Sequence, residues 1–90
     1  MMSTRFAANP ETVATRVGDE IVVVHLGTDR IYVLNRTAAR VWELVCEDGD
    51  RAEIERRMLG EFAVERDQLS GQVGELLASL ADNGLIVGST

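Results

Sequence analysis

The stretch RIYVLNRTAARVWEL, residues 30–44, contains the change of pattern that decides the fold. Its first five residues, RIYVL, are mostly the β-branched, aromatic and aliphatic residues that suit a strand. After Asn35 the apolar period lengthens from two to about 3.6 residues, and one helical face is formed by Ala38, Val41, Trp42 and Val45. The stretch therefore predicts a strand that runs directly into a helix, with Asn35 as the N-cap.

Two more strands precede this junction. TVATRV (residues 12–17) and EIVVVHL (residues 20–26) are rich in β-branched residues, and the short turns GDE and GTD separate the three segments. Strands joined by such short turns pair in antiparallel fashion. Residues 12–34 are therefore predicted to form a three-stranded antiparallel meander.

Two more helices follow the junction. EDGD (residues 47–50) ends the first helix, and Asp50 followed by Glu53 resembles the capping box that opens a helix. The apolar residues of this second helix recur every four positions, at Ile54, Met58 and Phe62. A third helix is predicted over residues 66–83, because Gly84 is a suitable left-handed cap.

These elements predict an α+β fold that resembles a winged helix-turn-helix, with a three-stranded antiparallel meander followed by three helices. The predicted domain covers residues 12–87, and its last three residues, LIV, are read as a short strand or a tail. Residues 1–11, with small and polar residues around Pro10, are expected to be a flexible arm. Residues 88–90 are expected to be a tail.

The third helix carries two apolar or small faces. A stripe that suits the core consists of Leu69, Val73, Leu76, Leu77 and Leu80. A second strip is made of small residues only: Ser70, Gly71, Gly74, Ala78 and Ala81. Each helical glycine costs about 1 kcal/mol relative to alanine, so a close neighbour is expected there. That neighbour is either the domain's own helix or sheet, or an added chain in a shallow groove.

Composition excludes several classes of function. The 90 residues include 15 acidic residues and 9 arginines, with no lysine, and the net charge is −6. Such a chain is repelled by phosphate backbones unless its arginines are concentrated on one face. No apolar run approaches the roughly 20 residues that span a bilayer. Because Cys46 is the only cysteine, no internal disulfide can form, and we expect a soluble protein of the reducing cytoplasm.

No enzyme motif is present, and no cofactor or metal is expected. His25 is the only histidine and lies in a Val-rich strand, so a structural or surface role is predicted. Cys46 lies beside Trp42 and Val45 and is read as a small core residue. The glycines match neither a P-loop nor a dinucleotide fingerprint. DNA binding is disfavoured as well, because the candidate recognition helix, residues 65–83, has four acidic residues and one arginine.

The strand RIYVL has no polar face. Ile31 and Val33 point to one side and Tyr32 and Leu34 to the other, and one helical layer cannot cover both. In a meander this strand is also at the edge, with neither proline nor inward charge to protect its free backbone groups. Such an edge invites an extended peptide to add as a fourth strand. The alternatives are pairing with a second copy of the chain, or cover by a helix end.

At this point the sequence resembles the PqqD-like family of recognition elements, which act on ribosomally synthesised and modified peptides. The residues that carry the resemblance are GDEIVVVHLGTDRIYVLN, then TAARVWELV, then the closing LADNGLI, and it covers about residues 12–87. The resemblance implies a non-catalytic domain that binds the leader segment of a precursor peptide and presents it to a leader peptidase or another modifying enzyme. The stand-alone form looks most like the lasso peptide type. The alternative is a pyrroloquinoline quinone-type chaperone that serves a radical enzyme.

The resemblance also implies a binding site between the third strand and the third helix. Carried over by position, the peptide-binding residues are Arg30, Ile31, Tyr32, Val33, Leu34, Val73, Gly74, Leu76, Leu77 and Leu80. Arg36 and Arg40 are predicted to offer further charge contacts to leader acids. The expected partners are therefore a leader peptide and a processing enzyme, without nucleic acid or membrane. The rival interpretation of the same edge is a homodimer, or a homo-oligomeric structural or regulatory winged-helix protein.

Overall fold

The structure is a computed structural model and describes residues 4–89. Its elements in chain order are β1 (Arg5–Ala8), β2 (Thr12–Val17), β3 (Glu20–His25), β4 (Arg30–Leu34), α1 (Arg36–Glu47), α2 (Arg51–Glu61), α3 (Arg66–Asp82) and β5 (Ile86–Ser89). The predicted fold class is confirmed, because an antiparallel meander is followed by three helices. Strands β1 and β5 form a second, two-stranded sheet that the sequence did not predict as a pair.

The meander has the order β2-β3-β4, so β4 is an edge strand as predicted. A two-residue turn joins β2 to β3, with Val17 opposite Glu20, and Gly18 has φ +63°. Glycine at the first central position suits the turn type that matches the twist of a hairpin. On β4, Val33 lies opposite Val22 and Tyr32 opposite Val23.

Side chains cap the first two helices where the sequence indicates. Asn35 Oδ1 accepts a hydrogen bond from the amide of Ala38 at 3.0 Å, so the predicted N-cap is confirmed. Asp50 likewise accepts from the amide of Glu53 at 3.1 Å. The reciprocal half of the capping box does not form, because the Asp50 amide donates to Asp48 and the Glu53 carboxylate binds arginines of its own helix.

The core lies between the inner face of the meander and the three helices. It includes the buried residues Ile21, Val23, Leu34, Val41, Trp42, Leu44, Ile54, Met58, Leu69, Val73, Leu77, Leu80, Leu85 and Ile86. His25 is also buried.

The interpretation of Cys46 as a core residue is wrong, because its side chain is exposed. Position 46 directly follows Val45 and lies on the solvent side of α1. Partial burial, and then Glu47, raise the pKa of the Cys46 thiol.

The flexible arm predicted for residues 1–11 is wrong where the structure describes it. Strand β1 pairs with β5, and its other edge is also bonded: the amide of Phe6 donates to Gly49 O at 2.7 Å. The amide of Arg51 in turn donates to Thr4 O at 3.0 Å. Gly88 lets the Phe6 ring lie close, since a Cβ there would be 3.1 Å from a ring carbon. The tail predicted for residues 88–90 is wrong at 88 and 89, which belong to β5. Residues 1–3 and 90 lie outside the described part of the chain.

Candidate strand-edge site

The free edge of β4 presents the backbone groups of Ile31 and Val33. The amide of Leu26 donates to Glu11 O at 2.8 Å, so at the end of β3 the even-numbered residues direct their backbone groups toward β2. Because these directions alternate along an antiparallel strand, the odd-numbered residues of β3 bond to β4. Their partners on β4 are Arg30, Tyr32 and Leu34. The N–H and C=O groups of Ile31 and Val33 therefore point away from the sheet.

The outer face of the meander is apolar and uncovered by any described residue. Ile31 is 68% exposed and Val33 62%. The same face continues across β3 to β2. There Val13 lies opposite Val24 and is 51% exposed. The alternative in which a helix end covers this face is therefore wrong for residues 4–89. Tyr32 and Leu34 point to the opposite side, as predicted. This is the inner side of the sheet, where Leu34 is part of the core and Tyr32 packs against it.

A groove lies beside the inner side of the β4 edge. Its lining comes from the turn before β4, from β4 itself and from the end of α3: Thr28, Arg30, Tyr32, Asp82 and Asn83. The groove has a volume of about 400 Å³. Leu76 and Ser79 precede Asn83 by seven and four positions, so they lie on the same face of α3. An extended chain added to β4 would run between the strand and this helix face.

His25 holds the turn at one end of the groove. Its Nδ1 atom accepts from the amides of Gly27 at 3.1 Å and Thr28 at 3.3 Å. The other edge of the ring lies against Gly84, where a Cβ would be 3.3 Å from Nε2. Gly84 has φ +74° and follows the end of α3. The predicted structural role of His25 is confirmed, since this side chain joins the turn before β4 to the end of α3.

The predicted wall residues on α3 do not all reach the groove. Val73, Leu77 and Leu80 are buried in the core, at 0%, 2% and 4% exposure. Leu76 is half-buried at the margin of the core. Its contact with a peptide stays a prediction. The other three residues support α3 from beneath, because the helix must bury one continuous stripe to pack against the sheet layer.

The strip of small residues on α3 has a different neighbour from the groove. A Cβ at Gly74 would lie 2.9 Å from the Arg51 guanidinium on α2. Ser70 Oγ donates to Glu55, also on α2, at 2.7 Å. Gly71 has nothing within 4 Å of its Cβ position. The interpretation as close packing within the domain therefore holds at Gly74 and Ser70, and Gly74 does not line the described groove.

Arg36 and Arg40 lie in a different environment from Arg30. Arg40 donates to both carboxylate oxygens of Glu61, at 2.7 and 2.8 Å. This bidentate pair lowers the pKa of Glu61 and raises that of Arg40. The Arg36 guanidinium lies 5.5 Å above the Phe62 ring. Only Arg30 among the three lines the groove, and the charge contacts assigned to the other two stay predictions.

Sequence reasoning missed three of the groove residues. Thr28 belongs to a turn, Asp82 lies on the third helix outside both of the faces described above, and Asn83 is the last residue of the predicted helix. The signal that could have located Asp82 and Asn83 is the pair Asn83-Gly84, which marks the end of the third helix. This helix end faces the turn before β4. Within residues 4–89 no group of His, Cys, Asp and Glu is arranged to hold a metal ion. No helix in that range is both long and apolar enough to cross a membrane.

The fold and the groove define a class of protein: a small winged-helix-like α+β domain with an open strand edge beside a helix. Residues 20–86 match the family model described as coenzyme PQQ synthesis protein D (PqqD). The chain belongs to the PqqD family. No curated protein matches it.

Two solved structures have the same fold. One is described as TbiB1 in complex with the TbiA(beta) leader peptide, with a TM-score of 0.85 and 26% identity over 89% of this chain and 93% of that chain. The other is lasso peptide synthetase B1 complexed with the leader peptide. Its TM-score is 0.83, with 23% identity over 92% of this chain and 98% of that chain. At that identity the second likeness shows the fold alone.

Proposed function

We propose that this protein binds the leader segment of a ribosomally synthesised precursor peptide, which adds as a strand to the free edge of β4. The observation that carries the proposal is the outward direction of the Ile31 and Val33 backbone groups beside an open groove. Backbone hydrogen bonds to such an edge supply affinity, and pockets for alternate side chains supply specificity. The leader peptide bound to the similar protein TbiB1 supports the same assignment.

The proposed role is that of an adaptor without catalysis. Binding the leader raises the local concentration of the precursor near an enzyme that also contacts the adaptor. A leader peptidase is the proposed enzyme for a lasso peptide precursor. The proposed setting is the reducing cytoplasm, because the chain has a single cysteine. We propose residues 12–87 as the recognition domain, with β1 as an added support.

The lasso peptide type is supported by the solved structure of the same fold that is described as lasso peptide synthetase B1. The family description as a PQQ synthesis protein favours the alternative, a chaperone that delivers its peptide to a radical enzyme. The precursor encoded beside this protein distinguishes the two. Co-purification of the tagged protein with a leader peptidase supports the first, and co-purification with a radical enzyme supports the second.

The test is fluorescence anisotropy of a labelled leader peptide from that precursor, titrated with the protein. We expect saturable binding with a Kd from about nanomolar to micromolar, or roughly −12 to −8 kcal/mol. Ile31→Asp should abolish it, because the carboxylate lies beside the added strand. Val13→Asp is the matched control, since Val13 lies on the same face but on β2, two strands away. Equal loss in both folded variants would contradict binding at the β4 edge.

Self-association is the rival use of this edge. Mass in solution over a dilution series, with and without the leader peptide, separates the two. A monomer that binds one peptide supports the proposal. A dimer that the peptide does not dissociate, together with no peptide binding, would assign the edge to a second copy.

A further inference from the structure

The groove beside β4 contains polar groups without partners in the described part of the chain. Six of the nine arginines form ion pairs within residues 4–89, and Arg36 lies over the Phe62 ring. Arg30 and Arg66 have no such partner within residues 4–89, and of the two only Arg30 lines the groove beside β4. Its neighbours in the groove, the Thr28 hydroxyl, the Tyr32 hydroxyl and the Asp82 carboxylate, also make no side-chain hydrogen bond or ion pair within residues 4–89. Asn83 donates through Nδ2 to Ser79 O at 2.9 Å, which leaves its Oδ1 available to accept.

The direction of the β4 backbone decides which peptide residue meets these groups. Ile31 and Val33 offer their backbone groups to an added strand, and their side chains lie on the outer face. A peptide residue beside Tyr32 has its side chain on the same face as Tyr32, whichever way the peptide runs, because side chains alternate along strands. That side chain enters the groove. The residues before and after it lie beside Ile31 and Val33 on the apolar outer face.

We propose that the groove is a specificity subsite for this one leader residue, and that it takes a neutral side chain with both a donor and an acceptor, such as Gln or Asn. The inference rests on the proposed function. The groove presents one cation, Arg30, and one carboxylate, Asp82, so an amide accepts from the first and donates to the second. The flanking leader residues are apolar, because each lies against an exposed aliphatic side chain.

Other side chains fit the subsite less well. An acidic side chain attracts Arg30 but is repelled by Asp82 and by the negative end of the α3 dipole. A basic side chain is attracted by Asp82 but is repelled by Arg30. An aliphatic side chain displaces water from five polar residues without replacing their hydrogen bonds, which is the costly case for polar groups. An amide avoids each of these conflicts.

The register is located first by disulfide trapping. Because Cys46 is exposed, the background is Cys46→Ser, and Ile31→Cys or Val33→Cys is added to it. Single-cysteine variants of the leader from the neighbouring precursor are then mixed with each protein under oxidising conditions. We expect the two proteins to trap leader positions two residues apart, with Val13→Cys as the untrapped control. The residue between the trapped positions is the one that enters the groove.

That leader residue is then replaced by Gln, Leu, Asp and Lys, and the Kd of each peptide is measured. We expect Gln to bind best and Leu to bind about tenfold weaker or worse. Asp82→Asn should selectively improve binding of the Asp peptide, and Arg30→Gln that of the Lys peptide. Equal or better binding of the Leu peptide would overturn the subsite. Failure of every leader variant and of the unmodified leader would instead overturn the proposed function.

Discussion

At the scale of single residues, the amide of Val33 is the sharpest test of the added strand. Val33→Pro removes that N–H and places a ring in the path of the incoming chain, while proline is tolerated at a free strand edge. We expect the leader affinity to fall at least about tenfold, since a hydrogen bond and close approach are lost together. Anisotropy titration measures the change.

The control for Val33→Pro is Val33→Thr, which keeps the amide and the branched shape on an exposed face. It should bind the leader within about twofold of the wild type. Circular dichroism and urea denaturation confirm that both variants are folded. If the folded proline variant binds as tightly as the threonine variant, the peptide does not bond to the Val33 amide.

At the scale of elements, the two glycines of α3 form a matched pair. Gly71 has open space at its Cβ position, whereas a Cβ at Gly74 meets the Arg51 guanidinium at 2.9 Å. We expect Gly71→Ala to stabilise the protein by up to about 1 kcal/mol, the usual helix preference for alanine. Gly74→Ala should gain less, because Arg51 must move from its position beside Glu55. Urea denaturation gives both free energies of unfolding, and equal gains would show that Arg51 moves at no cost.

The Arg40–Glu61 pair joins α1 to the end of α2 and makes stability depend on pH. Arg40 lowers the pKa of Glu61 below its ordinary 4.5, so the folded state gains stability above that value. The gain is lost as the pH falls from 4.5 through the folded-state pKa. Because both side chains are partly exposed, Glu61→Gln should cost at most about 1 kcal/mol at neutral pH. The difference from wild type should shrink on acidification.

Urea denaturation over a pH series measures this effect. Glu75→Gln is the control, since Glu75 is exposed and has no ion pair among the described residues. It should change stability little at any pH. A wild-type advantage over Glu61→Gln that stays constant in acid would mean that the lost interaction is packing and not charge.

The sequence predicted those elements whose signals are local. The junction at Asn35 was found because strand period, cap and helix period follow one another within fifteen residues. The edge position of β4 followed from short turns. The pairing of β1 with β5 joins residues about eighty positions apart, so no local window contains it. Thr28, Asp82 and Asn83 were missed as groove residues for the same reason, because the turn before β4 and the end of α3 meet only when the chain folds.

At the scale of the whole molecule, the chain ends hold the helical layer together. Strand β1 bonds to β5 on one side and to the turn between α1 and α2 on the other. Next to it, the Asn9 side chain donates to Gly84 O at 2.8 Å, at the end of α3 that borders the groove. The ends therefore fix the position of α3, and with it the distance between the two sides of the groove.

The same connection predicts the effect of removing the first strand. Deletion of residues 1–8 exposes Ile86, which is 1% exposed in the folded chain, and removes the partners of β5. We expect the free energy of unfolding to fall by about 2 kcal/mol or more, as for loss of a largely buried apolar side chain. Phe6→Ala should reproduce much of the loss, while Ala7→Ser, on the exposed side, should not. Leader affinity should fall too, because α3 loses its support. Unchanged stability of the deletion variant would instead support the flexible arm predicted from the sequence for residues 1–11.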